Sequence, residues 1–313
     1  MLDIYTLKND EILKLSTSNL NKSKLSYVRA VKPDEKEIEF LTKILNVEKE
    51  YFTDFLEEEE RPRLEKEGAL IITYDTPRRE KGDIVAAPIK IFVKNQVVVT
   101  LEDSNTLIID GLMKKFDSNK AKHFFKFSPG DFLFKLLDHI NDGFLNHVNR
   151  IENTTTFLKK KEDKFDNNWI EKVYDSSVTL SFFHQSLVAN QEVLNTLRKT
   201  FFKSFTKKDM ENFNDLYYDN LEIRDNAKIQ QEIMLSLFNL QSAIAQQKLN
   251  NFMNRITLLA VIIAVPTMIS GLYGMNFTYL PFADSKYGFF GILGIMIAII
   301  IGLYYTFKKI DER

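Results

Sequence analysis

Hydrophobic and polar positions divide the chain into three stretches. Through about residue 130, short apolar runs alternate with turn residues. From 131 to 251, apolar positions recur three and four residues apart in a polar background. Beyond that come two long apolar runs, 252–272 and 287–307. In the first stretch, Ala69-Leu70-Ile71-Ile72-Thr73-Tyr74 predicts a buried strand. Residues 89–93 and 97–101, joined by the turn Lys94-Asn95-Gln96, predict a hairpin. Helical pattern fills 34–45 and 48–55, and a further helix is expected over 105–116. Together these predict an α/β domain over residues 1–130, with an antiparallel or mixed sheet.

Between Asp131 and Val265 there is no proline, and Gly143 is the only glycine, so this stretch is expected to be nearly all helix. Three helices are predicted: 131–161, 169–202, and one opening at Asp209. Breaks are expected at 163–168 and 203–208. Thr206-Lys207-Lys208-Asp209 has capping-box spacing with Asp in place of Glu. No breaker follows Asp209 until Pro266. The third helix should therefore run into the first apolar run as one rod, about 95 Å long to Leu272 at 1.5 Å per residue. Ile229, Ile233, Leu237, Leu240 and Ile244 form a stripe for neighbouring helices. Gln241, Gln246, Gln247, Asn250, Asn251 and Asn254 fit either a polar pore entrance or a juxtamembrane linker.

Each apolar run is about twenty residues, long enough to cross a hydrocarbon core about 30 Å thick. The short connection between them makes a hairpin with both ends on one side. Lys248, Arg255 and the basic tail Lys308-Lys309 outweigh the loop's Lys286. The positive-inside rule then puts both termini in the cytoplasm and the loop outside. The second run carries Gly288, Gly291, Gly294, Ala298 and Gly302, small residues that let helices approach closely in lipid. It reads as an outer, lipid-facing packing helix. In the first run, Asn250, Met253, Ile256, Ala260, Ala264, Thr267 and Gly271 share one face of small and weakly polar side chains. A pore wall and a helix–helix contact face both explain that pattern.

Composition narrows the chemistry. A formal net charge of -1 makes no electrostatic case for nucleic acid. There are no cysteines, which excludes disulfides, thiolate metal sites and a cysteine nucleophile. His139 and His147 could share a helix face but lack a third ligand beside them, and His123 and His184 are scattered, so no zinc enzyme is expected. No glycine-rich phosphate loop is present. No catalytic residue and no prosthetic group are expected. Glu57-Glu58-Glu59-Glu60 point in different directions on any regular element and are expected to form a solvated charged turn. The first eight residues lack a basic stretch followed by an apolar one, so no cleaved signal peptide is expected.

Tyr273-Gly274-Met275-Asn276 follows a proline-containing span and precedes a second span at the C-terminus. In that position it resembles the signature of the CorA family of divalent-cation channels. Glu60-Arg61-Pro62-Arg63-Leu64-Glu65, the strand and hairpin after it, and the helical stretch entering the membrane are similar to the family's cytoplasmic domain. The resemblance covers nearly the whole chain. It implies a homopentameric funnel in the cell membrane. Residues 1–130 would be its cytoplasmic α/β domain, 131–251 a helical stalk, and 252–272 the pore-lining span. An outer loop 273–286, a second span 287–307 and a tail 308–313 would complete it. Conduction of Mg2+, and of Co2+ or Ni2+, down the electrochemical gradient is implied. The implied partners are lipid, divalent metal ions and further copies of the chain.

By the same resemblance, Gly274, Met275 and Asn276 would be the selectivity motif, with Asn276 forming a ring that binds the hydrated ion. Thr267, Met253 and Asn250 match pore-lining places of the family, and Ile256 a hydrophobic constriction. The physical chemistry agrees. Mg2+ holds its first-shell water tightly, so neutral amide oxygens can bind the hydrated ion without trapping it. A charged ring inside the membrane would be costly and would hold the ion too firmly. The family's gating implies a regulatory Mg2+ between cytoplasmic domains. Asp215 stands at a regulatory acidic position, and with Asp219 and Glu222 it makes a carboxylate stripe on one helix face. A solvated face explains the stripe as well. The loop 278–286 lacks the glutamates of many members. Ala264 stands where some carry a bulkier residue, which moves the expected constriction toward Met253 and Ile256. Two other readings share parts of this pattern: a zinc transporter of the same superfamily, and a membrane-anchored helical scaffold.

Overall fold

The computed structural model describes residues 2–16, 20, 23–57, 60–80, 82–104, 106–160, 167–200, 202, 205–276, 280–282 and 285–311. Seven strands form one mixed sheet: β1 (Leu2–Lys8), β2 (Glu11–Leu15), β3 (Ser26–Val31), β4 (Arg63–Glu67), β5 (Ala69–Glu80), β6 (Asp83–Lys94) and β7 (Val97–Glu102). Their order is β2-β1-β3-β7-β6-β5-β4. Only β3 and β7 pair in parallel; every other neighbouring pair is antiparallel. Successive side chains of a strand point to opposite faces. Leu70, Ile72 and Tyr74 of β5 therefore enter one core, while Ala69 and Ile71 enter the other. A strand buried on both faces reads as a continuous apolar run, which is why 69–74 was visible as one.

Helices cover both faces. On one side, Leu41 and Leu45 of α1 (Glu35–Leu45) and Phe52 and Phe55 of α2 (Glu50–Glu57) join Val28, Phe92 and Val99. On the other lie α3 (Leu107–Asp117), a short 3-10 turn (Lys122–Phe125), α4 (Pro129–Lys160), α5 (Asn167–Leu197) and the start of α6 (Lys207–Tyr273). The last helix is α7 (Gly288–Asp311). The chain divides into two units, Met1–Phe238 and Asn239–Arg313. The sheet and the helical stretch that follows it thus share one unit. Phe132, Leu136, Ile140 and Phe144 of α4 lie in the same core as β5 and β6.

Local chemistry sets the helix ends. Asp34 accepts the Glu37 amide while Glu37 accepts the Asp34 amide, a reciprocal capping box that starts α1. At α6 the predicted box is formed: Asp209 accepts the Thr206 amide at 2.7 Å, and Thr206 accepts the Asp209 amide at 3.2 Å. Gly143 is the one glycine of the helical stretch for a packing reason. A Cβ there would lie 2.5 Å from Ile108 Cδ1, so a larger residue would force the Ile108 side chain of α3 to move.

Three expectations are corrected. The second long helix ends at Leu197, short of 202. Its final turn tightens through three-residue bonds, and the Arg198 guanidinium lies 4.0 Å from the Tyr217 ring centroid on α6. The sheet is also larger than the strand and hairpin foreseen, because β1–β3 and β4 add to it. Its first hairpin turns at Asn9 and Asp10, both at positive φ, a residue pair that favours such two-residue turns. Finally, Glu60 is not a solvated charge. It pairs at 2.6 Å with Lys90, which is 1% exposed, and accepts a bond from Thr73. Glu58, Glu59 and most of the expected break at 163–168 lie outside the described residues, as do 203–204 of the next break.

Candidate ion pathway

α6 carries every pore-face residue named from the sequence, because it stays helical from Lys207 through Pro266 to Tyr273. Asn250, Met253, Ile256, Ala260, Ala264, Thr267 and Gly271 are all exposed in the single chain. Leu258, Val261, Ile262, Val265 and Ile269 are partly covered. A step of two residues turns a helix by about 200°, so Ile256 and Leu258, or Ala260 and Ile262, lie on nearly opposite sides. Leu259, Ile263 and Met268 are exposed as well, so the span is open on more than its small-residue face.

Hydroxyls on or near this face are tied back to the helix. Thr257 donates to the Met253 carbonyl at 2.9 Å and Thr267 to the Ile263 carbonyl at 2.8 Å. With their protons committed, these oxygens can offer lone pairs outward. Lower on the face, Gln246 donates to Asn250 at 3.3 Å. Pro266 has no amide to give the Ile262 carbonyl, which removes one rung of the ladder close to Thr267. Gly271 meets nothing within 4 Å, and the same holds for Gly291, Gly294 and Gly302 of α7. Among the described residues, none requires their small size.

At its end α6 closes with the Gly274 amide bonded to the Ser270 carbonyl at 2.9 Å and the Met275 amide to that of Leu272 at 3.4 Å. Asn276 follows, exposed and outside regular structure. The Tyr273 hydroxyl donates to the Pro281 carbonyl at 3.0 Å. Sequence reading missed this link; a tyrosine at a span end, with a proline a few residues on, was the available signal. Phe277 and loop residues 278–279 and 283–284 are outside the described residues.

Asp215, Asp219 and Glu222 are exposed on α6. Partial desolvation, then the like charges of Asp215, Glu222 and Asp142, raise the pKa of Asp219. Asp138 on α4 is pushed up to about 6 by burial, with Asp142 and Asp219 adding repulsion. The acidic group therefore spans two helices, and Asp138 and Asp142 were not foreseen. Four-residue spacing on α4 was their only mark, and it says nothing about α6. Among the described residues, no three His, Asp or Glu side chains of one chain converge to hold a metal ion.

α6 contains, and Gly288–Thr306 of α7 forms, an apolar segment long enough to cross a membrane. Residues 22–309 match the model of the family described as CorA-like Mg2+ transporter protein. The chain is 31% identical over 301 residues to the cobalt/magnesium transport protein CorA of Methanocaldococcus jannaschii, covering 95% of this chain and 94% of that one. The complete structure of the CorA magnesium transporter from the same organism superposes with a TM-score of 0.87 at 29% identity, covering 98% of this chain and 97% of the other. The ZntB cytoplasmic domain from Vibrio parahaemolyticus, at 10% identity and a TM-score of 0.62 over 79% of this chain and 98% of its own, shares the fold alone. With its α/β layers, unbroken long helix and two apolar C-terminal segments, this chain is a two-span membrane protein that belongs to the CorA-like Mg2+ transporter family.

Proposed function

We propose that the chain conducts hydrated Mg2+, and also Co2+ or Ni2+, as a homopentameric channel whose pore is walled by five copies of 252–272. The observation that carries this reading is the row of uncharged, mostly small side chains from Asn250 to Gly271 on one unbroken helix, which leads to Asn276. The glycines with open space around them support close approach of helices in lipid. In the assembled pore, Gly274 and Met275 carry the chain past the helix end, and Asn276 presents a ring of amide oxygens to the ion's bound water. Met253 and Ile256 form the narrow apolar stretch, with Ala260 and Ala264 wider above it. The stalk is 131–251, the outer loop 273–286, and both termini are cytoplasmic.

Asp215 and Asp219 would hold a regulatory Mg2+ together with groups of a neighbouring copy, since the described residues of one chain do not close a site. Their exposed carboxylates suit a Mg2+ that keeps several waters and uses one or two carboxylates. The ion would screen their mutual repulsion and favour the closed funnel. The decisive experiment expresses the full chain in cells lacking their own Mg2+ uptake and follows growth at low Mg2+. Rescue by the unaltered chain and none by an equally expressed Asn276→Ala is the expected result. Rescue by both removes the asparagine from ion selection. Rescue by neither, with Zn2+ uptake instead, turns the reading to zinc transport.

A further inference from the structure

The loop that carries Asn276 is fastened at two points, and neither belongs to the signature tripeptide. Tyr273 is the last residue of α6, and its hydroxyl bonds the Pro281 carbonyl across eight residues, with Asn276 inside the closed segment. Beyond Pro281 the chain turns at Phe282, whose φ of 64° lies in the left-handed region that non-glycine residues seldom occupy. The Phe282 carbonyl accepts the Ser285 amide at 3.2 Å, and the Ser285 carbonyl accepts the Gly288 amide at 3.0 Å. The Ser285 hydroxyl also accepts the Tyr287 amide at 3.3 Å. Gly288 is buried, and a Cβ there would fall 2.0 Å from the Phe282 carbonyl oxygen. Any other residue at 288 would lever the turn off the start of α7.

Asn276 lies outside regular structure, so its direction depends on what ties its loop down. A phenylalanine at 273 would serve the apolar part of that side chain equally well. The hydroxyl is the atom group that reaches the loop. We propose that the Tyr273 hydroxyl is a positioning group for ion selection. By holding Pro281, with the Gly288 seat at the far end, it fixes the direction in which Asn276 faces the pore mouth. This rests on the reading of Asn276 as the ion-binding ring.

The test uses the full chain reconstituted in liposomes, as wild type, Tyr273→Phe, Gly288→Ala and Asn276→Ala. Mg2+ uptake is measured against Mg2+ concentration and against block by cobalt(III) hexammine, an exchange-inert octahedral cation comparable in size to hydrated Mg2+. Tyr273→Phe should raise the KM for Mg2+ and weaken the block by about fivefold each, the factor for one net hydrogen bond. Maximal flux and the thermal midpoint in detergent should be nearly unchanged. Gly288→Ala should shift KM and block in the same direction. Unchanged KM and block in Tyr273→Phe overturns the proposal, and so does a loss that merely follows a lowered midpoint or a broken oligomer. If Asn276→Ala keeps wild-type KM and block, the ring reading itself fails. If Asn276→Ala loses both while Tyr273→Phe keeps both, only the positioning role fails.

Discussion

In the unit Met1–Phe238, Tyr27, Phe92, Phe132 and Phe213 are wholly enclosed by their own chain. In the unit Asn239–Arg313, Leu259, Ile263, Met268, Phe289 and Ile295 are each more than half exposed. Leu237, at 9% exposure, is the last buried hydrophobic residue among those described, and Leu240 on the same helix is already 54% exposed. Helix propensity does not change between them, since α6 continues. What changes is the solvent the side chains are suited to. The first unit completes its core within one chain. The second does not, and in the proposed pentamer that work falls to lipid and to other copies.

Substitutions in the second unit should therefore alter transport, and those in the first should alter stability. The largest effect is expected at Asn276. In the proposed pentamer, five amides lost from a ring, at about 0.5–1 kcal/mol each, correspond to ion binding weakened by roughly seventyfold to several thousandfold. Transport by Asn276→Ala should collapse while the melting midpoint of the cytoplasmic unit stays put. A parallel fall in that midpoint would break the comparison.

Next comes Glu102→Ala. Glu102 is 0% exposed and takes two bonds from Arg29, at 2.7 and 2.9 Å, and two from Thr106, the hydroxyl at 2.8 Å and the amide at 3.3 Å. Arg29 keeps Asp110 at 2.7 Å but would lose its buried partner. Removing one member of a buried pair costs about 3–5 kcal/mol, which denaturant titration would read directly.

A matched pair sharpens the contrast further. Leu216→Ala, at a fully buried site, should cost about 2–5 kcal/mol. Leu259→Ala, at 58% exposure, should cost under about 0.5 kcal/mol in detergent. Equal costs would mean that Leu259 meets a partner as intimate as the core surrounding Leu216.

The smallest effect belongs to Asp138. Its folded pKa, about 6, lies above the ordinary carboxylate value. The folded state therefore binds the proton more tightly, and stability falls as pH rises from about 4 through 6. Asp138→Asn should remove that slope and stabilise the protein above pH 6 by on the order of 1 kcal/mol, after allowance for solvent screening. Melting curves at pH 4.5 and 7.5 check the sign. An Asp138→Asn variant no more stable than wild type at pH 7.5 would show that neither burial nor the repulsion of Asp142 and Asp219 raises the Asp138 pKa.

Legibility followed the range of the forces. The 69–74 strand, the hairpin to Leu101 and the start of α6 were readable because runs of apolar residues, turn residues and caps are local. The leading strands were not read, although Leu2–Lys8 alternates and Asn9-Asp10 is a turn signal. They are stabilised by pairing β1 with β3 and β3 with β7, which brings Tyr27 beside Val98 across the sequence. The Glu60–Lys90 pair was misjudged for the same reason: four consecutive glutamates look solvated until a buried lysine from β6 is placed beneath one of them.

Sequence alone determined what hydropathy and short-range stereochemistry control: two membrane-length runs, a breaker-free helix entering the first, and a small-residue face leading to Asn276. Periodicity suffices there because every residue of a helix shares one register. Tertiary structure alone decided which charges meet and what holds the outer loop. Asp138 faces Asp219 only because α4 and α6 pack on one sheet face. Tyr273 reaches Pro281, and Phe282 rests on Gly288, through folded distances that linear spacing does not encode.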